Sequence, residues 1–373
     1  MRHPHFLAAL VILSAPAFAH DGDQGNGDFQ ADTYCVYEIP RLPGLPSGEI
    51  SLDLKAINNR DQVVGWTNPA GIPPLHSFIW DRKNGIRDIG SLPGHPSMVA
   101  ADINDRGTIV GDATDLEAPE VVAFIWRKHQ GVRELDVSLG GVNSLATGIN
   151  RSGQIVGASE TEPGTFHAFL RDVNGDVLDL GAFPDGHGSS SATGVNDRGQ
   201  VIGTRGDGQI TEAFVWDERD GMQTLIDDPP PNFFLFPSDI NNRGVVVGEI
   251  SGTDPPRAFR WTNSKGVEDL GSLGGLDTDY STATAVNRWG TIVGASQTTS
   301  GLAHGFVWNR RTGMRDLNDL IDPSSVLPPQ AVLGSATGIN DFGSIALIGF
   351  VPGEDSQRGF LLVPQRHPQN GCQ

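Results

Sequence analysis

Seven copies of one phrase constrain this chain more than any other feature. INNRDQVVG begins at residue 57, INDRGTIVG at 103, INRSGQIVG at 149, VNDRGQVIG at 195, INNRGVVVG at 240, VNRWGTIVG at 286 and INDFGSIAL at 339. Their asparagines, Asn58, Asn104, Asn150, Asn196, Asn241, Asn287 and Asn340, are spaced by 46, 46, 46, 45, 46 and 53 residues. Such a period over nearly all of a 373-residue chain marks a repeat architecture, in which each unit buries its apolar face against its neighbours.

The phrases inside each repeat read as strands and turns. N-x-x-G is a tight reversal: Asn opens it and Gly takes the left-handed conformation that strains a residue with a Cβ. The first copy carries Asp61 in place of that Gly, a substitution the turn is expected to tolerate. The β-branched run that follows (IVG, VVG) has strand character. So does the next phrase (SFIW, AFIW, AFLR, AFVW, AFRW, GFVW, GFLL), whose Phe recurs in all seven copies, with Trp two residues later in five. A last phrase of the GxxDLG type supplies a fourth strand. Four short antiparallel strands in about 46 residues predict a propeller blade. The expected fold is therefore all-β, a seven-bladed propeller of four-stranded antiparallel blades over residues 34–366. Gly, at 48 residues, suits a turn-rich chain of this kind.

The seventh copy lacks a fourth strand, and the other end of the chain supplies one. VYEIPRLPGLPS from Val36 aligns without a gap to IRDIGSLPGHPS from Ile86, so a strand over 35–40 is expected to close the last blade. Pairing the ends removes strand edges that invite aggregation. In this alignment Cys35 falls at the hairpin position of Gly85. Cys372 follows Leu362, the counterpart of Trp80, by enough residues to reach it from a tail over 367–373. A Cys35–Cys372 disulfide locking the ring is expected on this placement, as an exported chain would keep it oxidised; two cysteines alone exclude a disulfide scaffold or a four-ligand zinc site.

The repeats resemble the HAF family of extracellular repeats, named for the His-Ala-Phe that opens the third strand. The literal triplet is His167-Ala168-Phe169, with near matches at His76-Ser77-Phe78 and His304-Gly305-Phe306; elsewhere Val, Glu or Arg stands first, so the fold does not require this His. The resemblance covers roughly residues 34–363. It implies export and a repeat fold, and attaches no catalytic residue. Export is also the reading of residues 1–19, MRHPHFLAALVILSAPAFA, as a signal peptide with an apolar core and an Ala-x-Ala end. A disordered lead-in over 20–33 follows, and the mature protein is expected to be secreted or periplasmic and monomeric.

Acids outnumber bases 45 to 26, and the net charge of −19 excludes nucleic acid and anionic membrane surfaces as partners. The signal stretch is too short to span a bilayer, so no membrane insertion is expected. No nucleophile elbow, phosphate loop, zincin helix or dinucleotide fingerprint is present. Asp172-Val173-Asn174-Gly175-Asp176 resembles half a calcium loop but lacks its closing Glu and reads as a hairpin turn. His20, exposed by signal cleavage, could chelate copper but lacks the rigid setting of a catalytic site. No cofactor or structural metal is expected.

Function is expected on the face whose loops vary between repeats. That face carries His95, His187, Phe233, Phe234, Phe236 and Tyr280 in the connections between blades. The Phe233–Phe236 cluster reads as an inter-blade plug or an apolar anchor. Two acids also stand out: two residues before the repeat Asn, five copies have Ala or Gly, but copies two and five have Asp102 and Asp239. On strands lining a propeller axis these would face the channel nearly opposite one another, able to act as acid and base, to bind a cation, or simply to be solvated. The expected function is a non-catalytic exported binding scaffold for a protein or glycan ligand, the alternative an extracellular polysaccharide hydrolase or lyase using acids near the axis.

Overall fold

A Gly in the second strand opposite a Phe in the third sets the core of blades 1 to 6, and in blade 7 Leu347 takes the place of that Gly opposite Phe360. In the computed structural model Gly65 lies opposite Phe78, Gly111 opposite Phe124, and the same register recurs through Gly294 and Phe306. A Cβ on Gly111 would come within 2.9 Å of the Phe124 ring and 2.0 Å of the Val99 carbonyl oxygen, so only Gly lets the ring lie across the sheet. All seven of these phenylalanines are fully buried, and the five Trp two residues later are nearly so. The structure describes residues 33–365 and Cys372, apart from 45–49, 70–73, 116, 118–119, 184–185, 208–209, 231, 253–254, 277–278 and 355. The signal peptide over 1–19, the copper reading of His20, and the lead-in up to 32 lie outside the described residues.

The strands form seven four-stranded antiparallel sheets. Blade 1 comprises β2 (Ile50–Ile57), β3 (Val63–Pro69), β4 (His76–Asp81) and β5 (Gly85–Asp88) in spatial order. The next five blades repeat this order, with innermost strands Ser97–Ile103, Ser144–Ile149, Ser189–Val195, Phe234–Ile240 and Ser281–Val286. Innermost strands of successive blades touch, and Val332–Ile339 of blade 7 returns to β2. The fold is thus a closed seven-bladed propeller. The one described helix is a 3-10 turn, Leu317–Leu320, capped by the Asp316 carboxylate accepting from the Asn318 amide. No helix among the described residues is long and apolar enough to cross a membrane.

Closure follows the sequence alignment residue for residue. Strand β1 (Tyr34–Ile39) is the outermost strand of blade 7 and pairs with Arg358–Pro364, Val36 lying opposite Leu362 as Ile86 lies opposite Trp80 in blade 1. The Cys35–Cys372 disulfide is formed, its Cα atoms 5.4 Å apart. The insertion that lengthens the last repeat packs on this seam: the Asp322 amide donates to the Tyr34 carbonyl, and Ser325 Oγ accepts from the Val36 amide at 3.2 Å.

Each N-x-x-G turn forms as expected. Asp61 takes the left-handed conformation (φ 56°) that Gly107 (φ 78°) and its counterparts adopt. Asp172 Oδ1 accepts the amides of Asn174, Gly175 and Asp176, so this carboxylate closes its own hairpin, as the turn reading required.

Candidate functional site

The repeat Asn does more than open a turn. Asn104 Oδ1 accepts the amides of Arg106 and Thr108, while its Nδ2 donates to the carbonyl of Asn150 in the next blade at 3.1 Å. The same inter-blade bond runs from Asn58 to Asn104, Asn150 to Asn196, Asn196 to Asn241, Asn241 to Asn287 and Asn287 to Asn340. Asn340 donates to the Asn58 carbonyl at 3.0 Å and closes a seven-membered ring about the axis. These side chains are 3–5% exposed. A buried amide with both ends used holds the turn and the blade spacing together.

The residues after these asparagines form a second, charged ring at the channel mouth. Asp105 accepts from the backbone and side chain of Asn59 at 2.8 and 3.0 Å. Arg151 reaches across the opening: its Nε donates to Asp105 at 3.0 Å, and its terminal nitrogens lie 3.6 Å from Asp197 and 3.5 Å from Asp341. The Asp105 hydrogen bond and the three carboxylates raise the Arg151 pKa. Burial opposes ionisation of Asp105, but the bonds from Asn59 and Arg151 outweigh it and hold that carboxyl below its ordinary range.

This ring, the asparagine ring and both Asp102 and Asp239 line one cavity of about 200 Å³. The geometry accounts for each carboxylate. Asp102 Oδ1 accepts the amide of Ile103 at 2.7 Å, and Oδ2 accepts the Ile149 amide of the next blade at 2.8 Å. Asp239 repeats the arrangement with Ile240 and Val286 at 2.7 and 2.8 Å. Both acids therefore bridge inner-strand amides that a sheet edge leaves unpaired. Burial pushes both pKa values up to about 6 against the pull of those amides; the charge of Asp239 adds to the rise at Asp102, and that of Asp341 at Asp239.

Farther along the channel a cavity of about 180 Å³ is lined mainly by small residues, with Lys55 and again Asp102 and Asp239 in its wall. Thr147, Thr193 and Thr284 donate to carbonyls of the following blade at 2.8–2.9 Å. Lys55 replaces this Thr in blade 1 and pairs with Asp53 at 2.6 Å. Burial raises Asp112 to about 6, with Lys55 opposing.

The other sequence candidates sit in different inter-blade connections, and the fold does not gather them. His95 is half-buried, both ring nitrogens enclosed without a described partner. His187 is exposed. Phe233 packs on the buried cluster that includes Leu225 and Leu235, which is the plug reading. Phe234 is half-buried at the start of its strand, and Phe236 is the exposed member at 44%. Tyr280 is half-buried, and burial raises its pKa. No cluster of three or more His, Cys, Asp or Glu able to hold a metal occurs among the described residues.

The histidines at the head of the third strand also acquire a role. His76, His167 and His304 lie 3.1, 3.0 and 2.6 Å from Asp88, Asp179 and Asp316 of the adjacent outer strand. Arg257 takes the same place opposite Asp269, and Arg358 opposite Glu38 of the closing strand at 2.6 Å. The signal was in the sequence of four copies as a base at the head of the third strand with an acid twelve residues on, at His76/Asp88, His167/Asp179, Arg257/Asp269 and His304/Asp316.

No family model matches the chain, and no curated protein matches it. Solved structures do. Virginiamycin B lyase from Staphylococcus aureus superposes with a TM-score of 0.53 at 11% identity, over 88% of this chain and 99% of that one. A prolyl endopeptidase gives 0.56 at 9% identity, over 91% of this chain and 51% of that one. Prolyl oligopeptidase B from Galerina marginata gives 0.52 at 8% identity, over 91% and 53%. The chain spans about half the length of those two peptidases, and the likeness to all three is one of propeller fold.

Proposed function

We propose that this protein is an exported, non-catalytic propeller of the HAF-repeat type that binds a glycan or protein ligand on its variable-loop face. The observation carrying this reading is the state of the axial acids: Asp102 and Asp239 each spend both oxygens on backbone amides, and Arg151 spans the mouth beside them between Asp105, Asp197 and Asp341. Groups so engaged hold blades together and are poorly placed to move a proton on a polymer too large for a 200 Å³ cavity. The opposite face carries the loops that differ between repeats. Export fits a disulfide between the two cysteines, a bond that persists in oxidising compartments.

The alternative, a polysaccharide hydrolase or lyase, draws on one observation: both carboxyls line one cavity with pKa values raised to about 6. The test is to offer soluble polysaccharides and peptides to the mature protein, following binding by calorimetry and cleavage by release of reducing or unsaturated ends. Binding without cleavage, retained in the Asp102→Asn/Asp239→Asn double variant, is expected. Cleavage that vanishes in the folded double variant would establish the alternative.

A further inference from the structure

The seven blades differ at one position of the second strand, and the difference leaves a hollow at one seam. Eight residues after the repeat Asn, on the second strand, stand Trp66, Asp112, Ala158, Thr204, Glu249 and Ala295, with Ile348 in blade 7. Each lies opposite an innermost-strand residue: Asp53 faces Trp66, Leu145 faces Ala158, Ser191 faces Thr204, and Phe236 faces Glu249. Blades 3 and 4 are neighbours and carry small side chains here, Ala158, Ser191 and Thr204, where blade 1 carries Trp66. A pocket of about 390 Å³ results, lined by Leu145, Ala158, Phe166, Ser191, Thr204 and Thr211 among others. That volume is within the range of about 300–1,000 Å³ usual for small-ligand sites.

Its chemistry is specific. Leu145, Ala158 and the half-buried Phe166 form an apolar wall. The hydroxyls of Ser191 and Thr204 have no partner among the described residues, so each keeps a donor and lone pairs for a ligand. Arg205, the one cation in the lining, is neutralised by Glu212 at 2.8 Å and stacks over Phe183 at 4.8 Å. We infer that this pocket between blades 3 and 4 binds a neutral pyranose ring of a glycan, its C–H face against Phe166 and its hydroxyls on Ser191 and Thr204. The neutralised Arg205 and the chain's charge of −19 disfavour an acidic sugar. This inference rests on the binding reading and names its ligand class.

The experiment titrates the mature, disulfide-intact protein with cellotetraose, maltotetraose, laminaritetraose and mannotetraose, with tetragalacturonate and a pool of apolar hexapeptides alongside. Binding of at least one neutral tetrasaccharide is expected, and none of tetragalacturonate. Ala158→Trp, which installs the blade-1 residue, should weaken it at least twentyfold with an unchanged circular dichroism spectrum. Ser191→Ala and Thr204→Val, which remove each hydroxyl with little change of shape, should each weaken it about fivefold or more and carry the test if Ala158→Trp disturbs the fold. No binding of any neutral tetrasaccharide overturns the inference, as does peptide binding blocked by Ala158→Trp. Glycan binding indifferent to all three variants removes the pocket yet leaves the scaffold reading standing. Glycan cleavage lost in Asp102→Asn/Asp239→Asn removes the scaffold reading instead.

Discussion

Asp102 and Asp239 carry opposing demands: their two inner-strand amides favour the carboxylate, while burial favours the acid, and burial is the larger effect. With pKa values near 6 in the folded protein against about 3.9 unfolded, these groups bind protons more tightly in the native state between those limits. Asp112 joins them. A raised carboxyl pKa makes folding more favourable as pH falls from above 6 towards 4, by up to about 1.4 kcal/mol per pH unit for each group. Acids held low by hydrogen bonds, Asp81 and Asp105, act in the other direction, and their contribution is lost below pH 4. The melting temperature should therefore rise on acidification from pH 7 to about 5 and fall below 4. In Asp102→Asn the rise between pH 7 and 5 should shrink by roughly one proton's share. A wild-type profile flat across pH 5–7 would show that these carboxyls ionise normally.

At the scale of the turn, one Asn does the work of a cap and of an inter-blade link. Asn104→Ala forfeits two accepted amide bonds and the bond to the Asn150 carbonyl, all at a buried site. At about 1 kcal/mol net for each, the expected loss is about 2–3 kcal/mol. Arg60→Ala, at the exposed turn position of the first copy, should cost under about 0.5 kcal/mol. Denaturant midpoints of the two variants decide whether the asparagine ring bears load. The turn and the blade were legible because N-x-x-G and A-F-x-W encode local geometry, and the closing strand was legible because Val36 could be aligned to Ile86. The Asn ring was not, since a hydrogen bond to a residue 46 positions away has no local pattern. Nor did sequence reveal that Arg151 would span the mouth, because one odd residue in a repeat does not say which way it points. Asp102 and Asp239 were found by their departure from Ala and Gly, but their amide partners depend on a bulge in each inner strand. The pocket between blades 3 and 4 was invisible for a different reason: a cavity arises where small residues on two blades coincide, which requires knowing which residues pair across the strands.

For the whole molecule the decisive question is what keeps the ring shut. Blades 1 to 6 are each made from one continuous stretch, but blade 7 joins β1 to strands more than 300 residues later, so its pairing carries the largest loop-closure entropy in the chain. Three devices meet at that seam: the β1 pairing itself, the Arg358–Glu38 ion pair, and the disulfide with a sequence separation of 337. An exposed pair such as Arg358–Glu38 contributes at most about 1 kcal/mol. The disulfide acts on the unfolded chain, and the chain-entropy relation puts its contribution at about 5–6 kcal/mol for a loop of this length, an upper figure because denatured chains keep residual structure. Reduction, or Cys35→Ser/Cys372→Ser, should therefore lower stability by several kcal/mol. Because β1 remains hydrogen-bonded to Arg358–Pro364, the native circular dichroism spectrum should persist in mild conditions. The first amides to exchange with solvent in the reduced protein should be those of β1, before the inner strands of blades 2 to 5. If reduction leaves both the denaturant midpoint and the β1 exchange rates unchanged, the hydrogen-bonded seam alone closes the propeller and the disulfide is dispensable.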